Sequence, residues 1–477
     1  MAKAYRRDDD DATACPRLPF DILVRIGLWI EDVDSIFAFL DALGTPDARG
    51  PLDSLWQLGS TTLDRNNLWP SLVLTDAMCQ PGQTTLVEAA LPLYSHVDVR
   101  GMLEVGWLIQ HLRAPRTVTW NAAFPSSQLD AVAQGPLADW FLQWAMLPLT
   151  NVTVVNPRHG EDDAPIALTH DAAPFFFAVL PQCSLLVSLK LHCPSSIAPV
   201  FALAASSSTL ISLDMEFPWD ALTPALTTTD VLNATKWLRA TPVRHFRFPY
   251  LNMDTAIDRA VQNAFLHTLF TCPTLRRLQC YGWDLASLDA SFLPITLGMR
   301  TLSLEFAALT PVGVSTLAQA LRSSATMAHL ILRDVRRVGL QPPLDYTTAY
   351  EALFDAVARS NVRSLNVSGC HLGEMSWGHL GPSLQQSQLQ LVTFGRNAIT
   401  DDAGMWIVHA IQAHATINNV DLSGNSISAG LVEELLTHAP HRPCLWKRIN
   451  VSNQQFSDQE KTCLLGLADE MDVRISI

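Results

Sequence analysis

Lysine is nearly missing from this chain of 477 residues: Lys3, Lys190, Lys236, Lys447 and Lys461 are all it has. Charged residues of every kind make up 16%, against 48% hydrophobic residues. That balance excludes a disordered chain and describes a folded one. Bases are also the minority sign, 32 against 46 acids, for a net charge of -14. Binding along a nucleic-acid backbone needs the opposite sign, so no nucleic-acid partner is expected. The nine cysteines are odd in number, scattered from Cys15 to Cys463, and never form CxxC. This excludes a disulfide framework and favours reduced, mostly buried thiols in cytoplasm or nucleus. The first fifteen residues lack the apolar core of a secretory signal. The most apolar run, 173–191, is broken by Pro181, Gln182 and Lys190. A membrane helix needs roughly 18 unbroken apolar residues, so no membrane partner is expected.

Catalytic signatures are missing too. No Gly-Lys pair occurs, which excludes a P-loop, and HExxH and GxSxG are absent. His159 with Glu161, Asp162 and Asp163 reads as an acidic loop rather than a metal site, because no second ligand cluster stands nearby. Cys183, His192 and Cys193 form another cluster, and Cys193 reads as a small buried thiol near a turn. The expectation is a non-enzyme with no catalytic residues, no metal and no cofactor. Asp8 to Asp11 follow Arg6 and Arg7 in a start, residues 1–15, that reads as a solvated, disordered tail.

What is present is a rhythm. "VRSLNVSGCHL", "LQLVTFGRNAI", "INNVDLSGNSI" and "WKRINVSNQQF" begin at Val362, Leu389, Ile417 and Trp446. The starts lie 27, 28 and 29 residues apart (389−362, 417−389, 446−417). Each has apolar residues at positions 1, 4, 6 and 11, and position 9 is Cys370, Asn397, Asn425 and then Gln454. Positions 4 and 6 alternate inward from a short strand. An amide at position 9 can bond backbone groups that a tight turn leaves unpaired. Between the strands lie helical spans. "DDAGMWIVHAIQAHA" sets Met405, Val408, Ile411 and Gln412 on one face, and "SAGLVEELLTHA" sets Leu431, Leu435 and Ala439 along one side.

This pattern closely resembles leucine-rich repeats, LxxLxLxxN/CxL at a period of about 20–29 residues. The strand-plus-helix length is similar to the ribonuclease-inhibitor type. The fold class implied is α/β: a horseshoe-like solenoid with parallel strands on the concave face and helices outside. Upstream the apolar triplet recurs with looser spacing: Met327/Leu330/Leu332, Met299/Leu302/Leu304, Leu275/Leu278/Cys280, Val243/Phe246/Phe248, Leu210/Leu213/Met215, Leu186/Leu189/Leu191, Leu149/Val152/Val154, Pro115/Val118/Trp120, Tyr94/Val97/Val99 and Trp69/Leu72/Leu74. Repeats therefore fill 71–477, irregular to about 298 and regular over 299–477. Inserted loops are expected at 156–165 and 336–346, and a last short strand at Val473, Ile475 and Ile477.

Residues 16–70 follow a different plan. Leu18-Pro19 leads into a helix whose Ile22, Leu23, Ile26 and Ile30 share a face. Two more amphipathic spans follow, with Ile36, Phe37, Leu40 and Leu43, then Leu52, Leu55, Trp56 and Leu58. "RNNLWPSLVL" joins them to the first strand. This three-helix unit resembles an F-box, although "LDALGTPDARGPLDSLWQL" replaces the family's usual middle element. The resemblance implies docking on a Skp-type adaptor, and through it a cullin, with Leu18, Pro19, Ile22, Leu23 and Ile26 as the apolar anchors. The repeats would then select a protein substrate.

Positions 3, 5 and 7 of each strand point onto the concave face. Candidate partner-binding residues there are His245, Arg247, Arg277, Tyr281, His329, Arg333, Asn366, Asp421 and Asn450. The middle stretch is cationic and aromatic on an acidic chain, which suits an acidic or phosphorylated segment. The simpler alternative pairs these cations with nearby acids such as Glu305 and Asp334. The function expected is the substrate-recognition subunit of a cullin–RING ubiquitin ligase. The alternative is a repeat scaffold or inhibitor with no ubiquitin link, capped by its N-terminal helices.

Overall fold

The computed structural model of the chain describes residues 19–61, 63–80, 82–101, 104–125, 136–154, 168–169, 171–192, 196–217, 224–286, 297–338 and 343–477. The acidic tail, Leu18, Cys193 and the expected loop at 156–165 lie outside the described residues. The chain divides into two compact units, Met1–Leu186 and Val187–Ile477. No described helix is long and apolar enough to cross a membrane.

The first unit opens with α1 (Phe20–Trp29), α2 (Val33–Ala42), α3 (Pro46–Arg49) and α4 (Asp53–Gly59). Pro19 caps α1 from outside the helix, and its carbonyl accepts the amides of Ile22 and Leu23. Asp32 caps α2 by accepting from the Ser35 amide at 2.8 Å, and Thr45 caps α3. Arg49 ties the helices together. It is buried, donates Nε to the Leu40 carbonyl at 2.8 Å, pairs with Asp53 at 2.9 Å and lies 3.6 Å over the Trp56 ring. The expected face of α1 is corrected here. Leu23 and Gly27 turn inward, whereas Ile22 and Ile26 are exposed. Gly27 faces Ile36 and Leu52, and a Cβ there would make ordinary contact with both at 3.5 Å. Leu23 is therefore a core residue, not a docking anchor.

Four parallel strands follow in this unit: β1 (Leu72–Leu74), β2 (His96–Val99), β3 (Thr117–Trp120) and β4 (Leu149–Val154). All four coincide with the sequence triplets. Their core is aromatic, with Trp120, Phe124, Trp140, Phe141, Trp144 and Phe176 in mutual ring contact.

The second unit carries β5 (Ser188–His192), β6 (Ser212–Glu216), β7 (His245–Pro249), β8 (Arg277–Tyr281), β9 (Thr301–Glu305), β10 (Ala308–Leu309), β11 (His329–Ile331), β12 (Arg336–Arg337), β13 (Ser364–Asn366), β14 (Leu391–Thr393), β15 (Asn419–Asp421), β16 (Arg448–Asn450) and β17 (Ile475–Ser476). All but β10 and β12, which pair with each other, run in chain order as one parallel sheet. Leu365, Val392, Val420 and Ile449 stand in direct register on adjoining strands, and all four are buried. Among the described residues, helices connect successive strands of this sheet everywhere except between β8 and β9. In helix Asp401–Gln412 the buried face is Ala403, Ile407, Val408 and Ile411, with Met405 and Gln412 only flanking it. Gly404 lies on the buried side too, where a Cβ would meet Leu431 Cδ2 at 2.3 Å. The loop expected at 336–346 is shorter than the sequence suggested: β12 opens it and a helix resumes at Pro343.

Each coil leaves its strand through the same turn. Position 8 takes positive φ in eight successive coils, at Tyr250, Gly282, Phe306, Asp334, Gly369, Arg396, Gly424 and Asn453. In five of these coils position 9 then donates to the carbonyl at position 6 of the preceding coil, whereas Leu251, Ala307 and Val335 fill it with apolar side chains. Asn397 Nδ2 reaches the Val367 carbonyl at 2.9 Å, Asn425 Nδ2 the Phe394 carbonyl at 3.0 Å and Gln454 Nε2 the Leu422 carbonyl at 2.8 Å. Cys370 Sγ makes the same bond to Leu332 at 2.8 Å, and Trp283 Nε1 to Phe248 at 2.7 Å. Asn397 also accepts the amides of Cys370 and Leu372 through Oδ1. We therefore expect Asn397→Ala to lower stability by about 2–4 kcal/mol in urea unfolding, because several buried backbone groups lose their partners at once.

At the other end of the coil a polar side chain caps the strand entry. Ser207, Ser324, Ser360 and Ser387 each accept a backbone amide there, and His414 does so twice through Nδ1, from Thr416 and Ile417 at 3.1 Å. His414 Nε2 faces Ser387 Oγ at 3.1 Å, so the ring is neutral with its proton on Nε2. Burial holds its pKa below the ordinary 6.5, assisted by Arg442. The unfolded chain therefore binds the proton more readily. Stability conferred by this depression is complete above pH 6.5 and is lost as pH falls below it. Urea midpoints compared at pH 7.5 and 5 should drop less in His414→Gln than in the wild type.

Candidate functional site

The open face of the second unit's sheet is built from positions 3, 5 and 7 of its strands. Register places them in rows. Position 3 runs Ser212, His245, Arg277, Thr301, His329 and Ser364. Position 5 runs Lys190, Asp214, Arg247, Gln279, Ser303, Ile331, Asn366, Thr393, Asp421 and Asn450. His245, Arg277 and His329 stand in the first row, and Arg247, Asn366, Asp421 and Asn450 in the second.

Their chemistry differs along it. Arg247 is already paired, to Glu216 and to Asp214 at 3.6 Å. Glu216 also holds His192, and it lies 3.7 Å from Lys190. Arg333 lies 3.7 Å from Glu305 and 3.3 Å from Asp334. The simpler alternative thus describes Arg247 and Arg333. Tyr281 is half-buried in an aromatic step between Tyr250 and Phe306, at 5.1 and 4.8 Å. Asn366, Asp421 and Asn450 accept the amides of Ser368, Ser423 and Ser452, so their primary work is to shape the strand exit. Asp421 and Asn450 nevertheless line a groove of ≈ 310 Å³ with Leu391, Asn419 and Arg448.

Arg277 is exposed and makes no ion pair with a described residue. In the register His245 stands beside it, and His329 stands two strands away, beyond Thr301. Burial lowers the pKa of both. For His245 the Asp214 charge and the Gln279 bond oppose this, while Arg277 and Lys190 add to it. For His329 the further causes are Arg300 and then Arg277. Sequence reasoning missed the cations at position 2: Arg244, Arg276, Arg300, Arg363 and Lys447, all exposed. Their recurrence at one repeat position was the available signal. Among the described residues no cluster of metal-binding type occurs. His192 and buried Cys183 stand on different units, and no described disulfide forms.

Parallel strands in register, a polar residue closing each turn and a helix between strands define a leucine-rich-repeat solenoid of the α/β class. No family model matches the chain. No curated protein matches it either. Among solved structures, the tropomodulin C-terminal domain of Caenorhabditis elegans shows 15% identity over 24% of this chain and 74% of that one, with a TM-score of 0.21. A Bacteroides fragilis protein shows 14% identity over 62% of this chain and 77% of that one, with a TM-score of 0.34. The fold assignment rests on the coils themselves, not on these likenesses.

Removal of Arg277 tests the electrostatics of the face. Arg277→Ala should raise the pKa of both His245 and His329 in an NMR titration, and a rise in neither would place Arg277 outside their surroundings.

Proposed function

We propose that the protein is a non-enzymatic binding scaffold whose repeats hold one protein partner and whose α1 docks a second, a Skp-type adaptor of a cullin–RING ligase. The observation that carries the second half is the outward face of α1. Pro19, Ile22, Ile26 and Trp29 recur at intervals of 3, 4 and 3 residues, and all are exposed, Trp29 by 88%. A helix laying its apolar face into a groove uses this spacing. Such a stripe is costly to leave in water, and a hydrophobic groove relieves it at about 25 cal/mol per Å². The F-box resemblance names the occupant, with Pro19, Ile22 and Ile26 as anchors and Trp29 added to them.

The test is capture of a purified Skp-type adaptor by the full chain. Ile22→Asp and Trp29→Ala should each reduce capture at least about tenfold, since central apolar anchors carry most of such an interface. Neither should alter the melting temperature by more than a few degrees, because neither side chain is in the core. Leu23→Ala should do the reverse and destabilise the unit. Wild-type chain that ignores the adaptor defeats the ligase reading and leaves a scaffold with no ubiquitin link.

A further inference from the structure

Positions 2 and 3 of the repeats form a second feature, at the edge of the sheet where strands begin. A continuous ladder of backbone bonds fixes the position 2 row: Arg276 N–H donates to Arg244 at 2.8 Å, Arg300 to Arg276 at 2.9 Å, Ala328 to Arg300 at 2.8 Å, Arg363 to Ala328 at 2.9 Å, Gln390 to Arg363 at 2.7 Å, Asn418 to Gln390 at 3.0 Å and Lys447 to Asn418 at 2.8 Å. Five of these residues are cations. Arg277 and Arg448 add two more in the adjoining position 3 row. From β7 to β16 neither row contains an acid. All seven side chains are exposed, and none makes an ion pair with a described residue. The acids of the face lie further along the strands, at Asp214, Glu216, Glu305 and Asp421, where Glu216 and Glu305 engage their own cations.

We propose that this stripe is the docking edge for one extended, carboxylate-rich polypeptide segment of a protein partner. The inference rests on the scaffold reading of the repeats and names the chemistry of what they hold. Seven cations without an ion pair, carried by five of the eight strands in two rows that hold no acid, are a local reversal of sign on a chain of net charge -14. A field of that kind steers an anionic chain. Arginine forks can each take a carboxylate by two parallel bonds. Adjacent strands lie about 4.8 Å apart, so the eight strands from β7 to β16 span roughly 34 Å, the reach of about ten extended residues. The stripe is two residues deep and bordered by acids, which suits a single strand of peptide. A duplex would press further phosphates onto Asp214, Glu216 and Asp421. Burial is the main cause of the lowered pKa of His245 and His329, and Arg277 adds to it in both.

The probe is a fluorescent ten-residue peptide of alternating Glu and Ser, titrated with the full chain in 50 mM salt. The peptide should bind, and its Gln-for-Glu counterpart should not. Binding should weaken at least about tenfold in 300 mM salt, as the Debye length shortens. Arg276→Glu with Arg300→Glu should weaken it at least about tenfold, while Arg247→Ala, already paired off the stripe, should leave it within about twofold. Arg276→Gln with Arg300→Gln provides the same reading if charge reversal prevents folding, as judged by circular dichroism. No binding of the Glu peptide, equal binding by the Gln peptide, or indifference to both arginine pairs overturns the proposal. So does tighter binding of a phosphoserine peptide or a DNA duplex at equal ionic strength. A protein partner captured equally by wild type and the reversed variant would sink the stripe and leave the scaffold reading intact.

Discussion

The hydrogen bond from position 9 to the position 6 carbonyl of the coil before it is the constraint that ties together five coils of the second unit, all four of the most regular ones among them. Each coil must turn sharply out of its strand, and a sharp turn inside a packed stack strands backbone groups away from water. Position 8 meets the geometry by entering the left-handed region, at a glycine in three coils and at larger residues in five. Position 9 meets the polarity. Because its acceptor belongs to the neighbouring coil, the same bond that closes one turn sets the register of the next strand. Asn397, Asn425, Gln454, Cys370 and Trp283 differ in chemistry yet place a donor at the same point. Register in turn aligns positions 2, 3 and 5 into rows, so the surface is a consequence of the turn.

The rows differ in how their charges are used. Beyond mid-strand, cations and acids neutralise one another: Arg247 with Glu216, Arg333 with Glu305. Such partly exposed pairs contribute little to stability. Their effect is to remove those side chains from the set that could meet a partner. At the strand entrances no acid is within the two rows, and the cations remain available. A chain acidic overall therefore shows a partner one narrow basic edge.

The first unit solves a different problem. Its helices are too short to enclose much apolar surface, and one buried cation compensates. Arg49 satisfies two backbone carbonyls, Leu40 at 2.8 Å and Gly44 at 3.2 Å, while Asp53 balances its charge and Trp56 covers its plane. With the core organised from the α3 side, α1 meets it along Leu23 and Gly27, with the Phe20 ring against Gly50. Its other face is left to solvent.

Periodicity made the strands legible, down to weak cases such as Trp69/Leu72/Leu74 and Tyr94/Val97/Val99, because inward alternation on a short strand needs only the right apolar residues at the right spacing. Position 9 was legible where it is Asn or Gln and hidden where it is Trp283, since an indole reads as core until its N–H is seen to find a carbonyl. Positions 3, 5 and 7 were legible as a shared face. Which of them stay unpaired was not: Asp214 and Glu216 meet Arg247 only because β6 and β7 lie side by side, 31 residues apart for the Glu216 contact. The chain alone thus determined the coil, its period and its inward residues, all of which depend on local spacing. The tertiary structure decided which face of α1 is free and which cations are unneutralised, because both depend on how closely distant segments approach.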